Sequence, residues 1–135
     1  ACGIDFGNLD GQRDYQPWRT YGQSKLANLL VAKKLARTMG GNRVANALHP
    51  GVIRTNLGRH LDDYDGLLDD IGRDRLKTVP QGAATTVYLA VHPDVAELNG
   101  LYFDSCQVKE PSKAALDEAL ADRLWAETER IVAGL

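Results

Sequence analysis

Hydrophobic positions recur with the period of an α-helix in three segments of the chain, and each segment carries end signals. The first covers residues 20–39 and stops at a Gly-Gly pair. The second covers 78–91 and begins with a capping-box pattern formed by Thr78 and Gln81. The third covers 111–134, with a proline at its start and a glycine at its end. The pattern therefore predicts three main helices.

Two short apolar runs without a helical period lie between these helices. "VANAL", residues 44–48, and "LYFD", residues 101–104, predict buried strands. The polar and acidic segment 58–77 predicts a loop with a short helix. Because strands that alternate with long helices pair in parallel through right-handed crossovers, the predicted fold class is α/β. With 135 residues and no interior linker, the chain is expected to form one domain.

Charge and cysteine content narrow the class of protein. The net charge of −2, with both signs interleaved, argues against nucleic acid as the main partner. No stretch approaches the length of a membrane span and no signal peptide is visible, so a cytoplasmic protein is expected. Cys2 and Cys106 have no metal-ligand spacing around them, which predicts reduced thiols and no metal site.

The first predicted helix contains "YGQSK", which holds the first candidate chemistry. Tyr21 and Lys25 are four residues apart and therefore project from one helix face. An ammonium group one turn away favours the phenolate form of a tyrosine, and such a pair can exchange a proton with an alcohol or a carbonyl. The same residue types at this spacing also occur on ordinary solvated helix faces, which is the more common explanation for these five residues alone.

A second candidate feature follows the first predicted strand. A Pro50-Gly51 turn ends that strand, and Thr55 comes four residues after the glycine. Glycine permits close approach of the backbone to a ligand, and ligands of parallel α/β sheets collect at the carboxyl ends of strands. Tyr21 and Lys25 lie near the start of the helix that leads into this strand. The two features are therefore expected to face a common cleft.

Several segments together resemble one known family. "YGQSKLANLL" with "VANALHPGVIRTNLGRH" resembles the short-chain dehydrogenase/reductase superfamily, and most closely its retinol-dehydrogenase-like branch. Further similar segments, in the same order, are "IDFGNLDG", "YQPWRTY", "VPQGAATTVYLAVHP", "LNGLYFDSC" and "EPSKAALDEALADRLWAETERIV". The resemblance implies the carboxyl-terminal part of a Rossmann-like doubly wound parallel sheet, with about two strands and three main helices in a single partial domain over 1–135.

The resemblance also implies roles for the matched residues. Tyr21 would be the general acid/base and would also bind the cofactor. Lys25 would favour loss of the phenol proton and would hydrogen-bond the nicotinamide ribose of NADP or NAD. Ser24 would be a helix residue near the site and not a proton carrier. The loop that holds the nicotinamide end of the cofactor is matched by Pro50, Gly51, Val52 and Thr55.

The chain lacks a counterpart of the family's amino-terminal half. No Gly-x-x-x-Gly-x-Gly turn, which would receive the cofactor pyrophosphate, precedes Tyr21. The family's catalytic serine would fall a few residues before Ala1. The chain is therefore expected to be the carboxyl half of an enzyme and to be inactive by itself. With a sheet edge left open, that half is also expected to be loose or to aggregate.

The resulting prediction is an NAD(P)-dependent oxidoreductase that interconverts an alcohol and a carbonyl group. The resemblance implies a hydrophobic small-molecule substrate, such as a retinoid or a steroid-like compound, chosen in part by a lid within residues 58–77. It also implies a homodimer in the whole protein. The alternative is a non-catalytic interaction or scaffold module that kept the helices and lost the chemistry, because the dinucleotide-binding half is absent.

Other polar and aromatic side chains have structural interpretations. His49, just before the Pro-Gly turn, is expected to be a structural residue at the strand end. Trp18 packs either against the substrate region or against its own helix. A solvated face is expected for the basic cluster of Lys33, Lys34 and Arg37.

Overall fold

The computed structural model describes residues 3–55 and 63–135. Within these ranges the four α-helices are α1 (Pro17–Thr38), α2 (Tyr64–Ile71), α3 (Val79–Val91) and α4 (Glu118–Ala133). The three strands of the same ranges are β1 (Ala47–His49), β2 (Tyr102–Asp104) and β3 (Gln107–Lys109). The strands form a small mixed sheet in the order β1-β2-β3, so the fold class is α/β, as predicted.

The three predicted main helices correspond to α1, α3 and α4, whereas the prediction of about two strands is one strand too few for the described residues. Strand β3 is not predicted, because Ser105 and Cys106 are not residue types that mark a hairpin turn. In the turn before β3 these two residues adopt φ values of 53° and 60°. Hairpin turns with two positive φ values usually carry glycine or asparagine. The additional helix, α2, is the short helix expected within 58–77, and the Asp63 side chain caps it by accepting a hydrogen bond of 3.0 Å from the Gly66 N–H.

The ends of the longer helices follow their capping residues. At α3 the predicted capping box is present, since the Gln81 side-chain oxygen accepts from the Thr78 N–H at 2.8 Å and the Thr78 hydroxyl accepts from the Gln81 N–H at 3.4 Å. Helix α1 begins at Pro17, slightly earlier than predicted, because proline suits the first turn. Helix α4 begins later than predicted, because the Asp117 side chain caps it after a separate 3₁₀ turn.

Strand β1 begins later than predicted because side chains replace the backbone ladder just before it. The Asn46 side chain donates to the Leu98 carbonyl at 2.6 Å and accepts from the Leu101 N–H at 2.9 Å. Backbone hydrogen bonds of 2.9 Å join residues 45–47 to residues 100–101, and the numbers rise together along both segments. This is the parallel arrangement that the alternation of strands and helices predicts.

The chain divides into two compact units, each with its own buried side chains. The first unit comprises Ala1–Ala47, Glu97–Tyr102 and Lys109–Leu135, and the second comprises Leu48–Ala96 and Phe103–Val108. Buried hydrophobic residues of the first unit include Leu30, Ala121 and Leu124, which join α1 to α4. Those of the second unit include Leu68, Val95 and Phe103.

The basic cluster at the end of α1 contacts a neighbouring helix. Lys34 Nζ lies 2.9 Å from the carboxylate of Asp122 on α4, and Arg37 pairs with the same carboxylate. The hydrogen bond from Lys34, with a smaller contribution from the charge of Arg37, lowers the pKa of Asp122 below its ordinary value. Both pairs are exposed to solvent, in keeping with the predicted solvated face, and their shared partner lies 88 and 85 residues further along the chain.

The cysteines and the hydropathy of the helices complete the description. Cys106 is a free thiol, with its Sγ 3.8 Å from the Thr85 hydroxyl, whereas Cys2 lies outside the described residues. Among the helices of residues 3–55 and 63–135, none combines the length and the apolar composition that crossing a bilayer demands.

Candidate active site

The first turns of α1 hold Tyr21 and Lys25 on one exposed face. Because the two residues are one helical turn apart, Lys25 Nζ reaches a point 5.1 Å from the centroid of the Tyr21 ring. That distance lies within the range of cation–π attraction. Tyr21 is 54% exposed, so more than half of the residue is accessible to a ligand.

The opposite face of the same turns is fixed to the protein. Gln23 is buried, and its side-chain oxygen accepts a hydrogen bond of 2.7 Å from the backbone N–H of Asp5. Ser24 donates to the Tyr21 carbonyl at 2.7 Å, which is a local bond within the helix. The start of α1 therefore presents Tyr21 from a backbone that is held on its other side.

Trp18 packs against its own helix, which was one of the two arrangements expected. Its ring meets the Tyr21 ring edge-on, with 6.2 Å between centroids and an interplanar angle of 87°. The Trp18 side chain is nevertheless 66% exposed. Trp18 and Lys25 therefore flank the Tyr21 ring from positions three residues before and four residues after it.

The Pro-Gly turn after β1 has the backbone conformation that requires glycine. Gly51 adopts φ +91°, which disfavours any residue with a side chain. Its N–H donates to His49 Nδ1 at 2.8 Å. The expected structural role of His49 is confirmed, because the imidazole closes the turn from the last position of β1.

A short parallel bridge continues the loop after this turn. The Lys77 N–H donates to the Val52 carbonyl at 2.8 Å, and the Arg54 N–H donates to the Lys77 carbonyl at 3.0 Å, so Ile53 and Lys77 are paired. The Thr55 carbonyl accepts from the Tyr64 hydroxyl at 3.1 Å. Residues 52–55 are therefore tied to the segment that follows them by 9 to 25 positions.

Ile53 is also fixed by helix α3. A side chain at Gly82 would collide with the Ile53 side chain, so the glycine lets the isoleucine lie directly against α3. Gly82 is itself buried. This contact gives the loop an apolar anchor beside its polar ones.

Sequence reasoning missed Lys77, which contacts the Pro-Gly turn with its side chain. Lys77 Nζ lies 3.2 Å from the Pro50 carbonyl oxygen and 3.1 Å from the Ser105 hydroxyl. The only local signal is its place directly before the Thr78 cap, and that signal says nothing about the turn. The interaction is visible only once the chain is folded.

The predicted residues thus fall into two groups. Tyr21 and Lys25 lie together on α1 in the first unit. The residues of the Pro-Gly loop lie together in the second unit: Pro50, Gly51, Val52 and Thr55. The common cleft expected from the sequence stays a prediction.

The chemistry of the first group fits one part of a nicotinamide cofactor. The exposed hydroxyl of Tyr21 and the ammonium group of Lys25 are the kinds of donor that ribose oxygens accept. At Gly51 the fit is narrower, because a Cβ there would meet the Lys77 side chain at 2.7 to 2.9 Å. A ligand at this turn would therefore contact backbone groups on the side of the turn that the Lys77 side chain does not cover.

A cavity of about 320 Å³ lies beside this loop within the second unit. Its lining combines cationic and apolar side chains. The lining residues include Arg54, Lys77, Leu68, Leu76 and Val79. A cavity of about 360 Å³ in the first unit lies by α1 and the start of α4, and no predicted site residue lines it. None of the predicted site residues lines either cavity, although Arg54, the immediate neighbour of Thr55, lines the one in the second unit.

The carboxyl groups with displaced pKa values elsewhere in the described chain belong to exposed local ion pairs. The hydrogen bond from Arg73 lowers the pKa of Asp69, and that from Arg130 lowers the pKa of Glu127. Each pair lies within or next to one helix. These groups therefore support local structure and supply no proton near neutral pH.

No protein-family model matches the chain, but individual proteins do. It is 43% identical over 136 residues to Short-chain dehydrogenase TIC 32 A, chloroplastic, of Brassica napus, which covers 98% of this chain and 42% of that protein. It is 40% identical over 133 residues to Retinol dehydrogenase 14 of Mus musculus, covering 96% of this chain and 40% of that protein. It is 43% identical over 136 residues to Retinol dehydrogenase 13 of Homo sapiens, covering 96% and 41%. The chain thus spans about two-fifths of the length of these curated relatives.

Proposed function

The chain is a homologue of short-chain dehydrogenases and retinol dehydrogenases over nearly its whole length, and from this premise we propose that it is the carboxyl-terminal part of an NAD(P)-dependent oxidoreductase. Its α/β architecture is compatible with part of a Rossmann-like doubly wound sheet, and we place residues 1–135 in a single partial domain of that fold. The reaction interconverts an alcohol and a carbonyl group. The substrate is a hydrophobic small molecule of the retinoid or steroid-like kind.

The proposed mechanism assigns the proton to Tyr21. When bound, NADP or NAD supplies or accepts the hydride. In the reductive direction the Tyr21 hydroxyl donates its proton to the carbonyl oxygen of the substrate, and in the oxidative direction the phenolate takes the proton back. Lys25 stabilises the phenolate by its charge and binds the nicotinamide ribose. The loop of Pro50, Gly51, Val52 and Thr55 holds the nicotinamide end.

One observation carries this proposal beyond the sequence similarity. Lys25 Nζ lies 5.1 Å from the centroid of an exposed tyrosine ring, on a helix whose opposite face is buried. An exposed phenol with a cation beside it can donate a proton to a bound ligand and can take the proton back.

Replacing Tyr21 with phenylalanine in the intact protein tests the assignment. Tyr21→Phe removes only the hydroxyl, so kcat for carbonyl reduction should fall by a factor of about 10² to 10⁴. The dissociation constant for NAD(P)H should rise by less than about fivefold, because only one hydrogen-bond donor is lost while Lys25 and the loop remain. Initial rates and cofactor fluorescence titrations measure these two quantities.

A matched control is Tyr15→Phe, since Tyr15 is 62% exposed and precedes the helix. That variant should keep the wild-type rate. If Tyr21→Phe also keeps it, the acid/base assignment is wrong. A protein without turnover in any form, wild type included, would favour the non-catalytic module instead.

The 135-residue chain alone should not bind the cofactor tightly, because no glycine-rich turn for a pyrophosphate occurs in its sequence. Titrating NADPH against the isolated chain while following cofactor fluorescence checks this, and tight saturable binding would contradict it. We further propose a homodimer and a cytoplasmic location for the whole protein. Sedimentation velocity and cell fractionation test these two points.

A further inference from the structure

Lys77 contacts the loop after β1 with its backbone and with its side chain. Its backbone N–H and carbonyl bind on either side of Ile53, through Val52 and Arg54, at 2.8 and 3.0 Å. Its side chain turns back along the loop to the Pro-Gly turn. One residue therefore touches the loop along its length from Pro50 to Arg54.

The stem and the ammonium group of Lys77 make different contacts with the turn. The stem occupies the space at Gly51 that a side chain would need, with Cδ and Cε 2.7 and 2.8 Å from the position of a Cβ there, and Nζ lies 2.9 Å from the same position. The ammonium group donates to the Pro50 carbonyl at 3.2 Å. The Lys77 side chain is only 25% exposed, so these contacts are partly shielded from water. Both parts restrict the orientation of the peptide between Pro50 and Gly51.

The other partners of the ammonium group are held by the hairpin turn after β2. Lys77 Nζ lies 3.1 Å from the Ser105 hydroxyl and 3.7 Å from the Asp104 carboxylate. This hairpin turn is also bound to α3, because the buried Thr85 hydroxyl accepts a hydrogen bond from the Cys106 N–H at 3.2 Å. The ammonium group therefore connects the Pro-Gly turn to a fixed point within the second unit.

We propose that Lys77 is a positioning residue that sets the conformation of the Pro50–Arg54 loop and thereby the affinity for the nicotinamide end of the cofactor. The second half of this statement rests on the proposed function, and the first half does not. Lys77 acts through the Pro50 carbonyl and the Gly51 backbone, and it needs no contact with the cofactor. The glycine at 51 suits φ +91°, and any side chain there would also displace the end of the Lys77 side chain.

Three variants of the intact protein separate the contributions of Lys77. Lys77→Met keeps a stem of similar length and removes the ammonium group, whereas Lys77→Ala removes both. Lys77→Arg keeps a cation and should restore part of the effect. Lys109→Met is the matched control, because Lys109 lies on the exposed strand β3. Thermal midpoints identify the temperature range in which each variant is folded.

Two readouts are then taken well below those midpoints. Amide hydrogen exchange at Gly51 and Arg54 reports loop order without any cofactor. Lys77→Met should speed this exchange by about tenfold, and Lys77→Ala should speed it more. The NAD(P)H dissociation constant should rise by about tenfold in Lys77→Met and stay unchanged in Lys109→Met.

The outcomes distinguish the two proposals. Unchanged exchange at Gly51 and Arg54 in Lys77→Met overturns the positioning role, whatever the cofactor does. Faster exchange with an unchanged dissociation constant overturns the link to cofactor affinity and leaves the loop contact standing. A wild-type protein that binds no cofactor refutes the proposed function, while exchange still decides the role of Lys77. If Lys77→Met does not fold, Ser105→Ala removes one partner of the ammonium group and should speed exchange by about threefold, with no change overturning the proposal.

Discussion

The start of α1 and the Pro50–Arg54 loop reach their conformations by opposite routes. Tyr21 and Lys25 meet because both belong to one helix, and their spacing of four residues is enough to bring them within 5.1 Å. The loop is shaped by Lys77, which lies 27 residues after Pro50, and by Ser105, which lies 28 residues after Lys77. Local geometry produces the first arrangement, and tertiary contacts produce the second.

The two groups are therefore sensitive to different substitutions. The pair on α1 persists for as long as the helix does, so most substitutions elsewhere should leave its geometry intact. The loop is held by several separate contacts, and a single substitution can remove any one of them. Chemistry should therefore be lost by changes at Tyr21 itself, whereas cofactor affinity should be lost by changes at residues outside the loop.

The largest expected effect tests the claim that the pair on α1 depends on its helix alone. Leu30→Ala opens a cavity at a side chain with 0% exposure, between α1 and α4, and should lower the free energy of unfolding by about 3 kcal/mol. The folded fraction should keep its turnover, because Tyr21 and Lys25 still share a helix. Chemical denaturation and initial rates below the transition measure both quantities.

Leu116→Ala is the control for that variant, since Leu116 is 46% exposed and should cost less than about 1 kcal/mol. Equal costs for the two leucines would contradict the assignment of Leu30 to the core. Loss of turnover in the fully folded Leu30→Ala protein would break the comparison, because the pair would then depend on distant packing. A single transition reported from both units would support one partial domain over 1–135.

A smaller effect sharpens the contrast from the side of the loop. Gly51→Ala forces a side chain into φ +91° and against the Lys77 stem, which should cost about 1 to 2 kcal/mol of stability. Cofactor affinity should fall while kcat at saturating cofactor changes little, the reverse of Tyr21→Phe. Denaturation and NAD(P)H titration check the two parts.

Gly40→Ala is the matched glycine control, because a Cβ at Gly40 meets nothing within 4 Å and its φ is not positive. It should be neutral or stabilise by about 0.5 kcal/mol. A Gly51→Ala protein that is equally stable and binds cofactor normally would show that the turn has more freedom than the Lys77 contacts imply.

The smallest expected effect concerns pH and the ion pairs of the first unit. Because the hydrogen bond from Lys34 lowers the pKa of Asp122, the carboxylate contributes stability above its unfolded pKa, about 3.9, and loses it as pH falls through the lower folded value. The thermal midpoint of Asp122→Asn should lie on the order of 2 °C below wild type at pH 6, and the gap should close towards pH 3.

Glu129→Gln on the same helix makes the same kind of change at another carboxyl of α4 and serves as the reference. A gap for Asp122→Asn that widens on acidification would contradict the direction of the Asp122 shift. Asp122 belongs to the first unit, so this pH test makes no prediction about the loop of the second unit.

How much the sequence could predict follows from the same distinction. The α3 capping box could be predicted because all of its atoms lie within four residues, and both of its hydrogen bonds are present. The shared face of Tyr21 and Lys25 could be predicted for the same reason. Strand β3 could not, because its turn uses Ser105 and Cys106 in a conformation that their residue types do not announce.

The contacts of charged side chains were equally hidden in the sequence. Nothing near Lys34 and Arg37 in the sequence indicates Asp122, which α4 brings beside them in an exposed ion pair. Lys77 looks like a surface residue before a helix cap, and only the fold places Pro50 and Ser105 around its ammonium group. A cation's partner is set by tertiary structure, so periodicity and spacing along the chain do not reveal it.

The parallel bridge between Ile53 and Lys77 makes the stretch between them a natural unit for exchange between homologues. Its two ends leave and return side by side, at backbone hydrogen bonds of 2.8 and 3.0 Å. A donor stretch of different length would need only to span that short gap, and the entropic cost of extra residues grows slowly with length. Grafting such stretches from residue 56 onward should therefore leave the residues assigned to the cofactor loop, Pro50, Gly51, Val52 and Thr55, as they are.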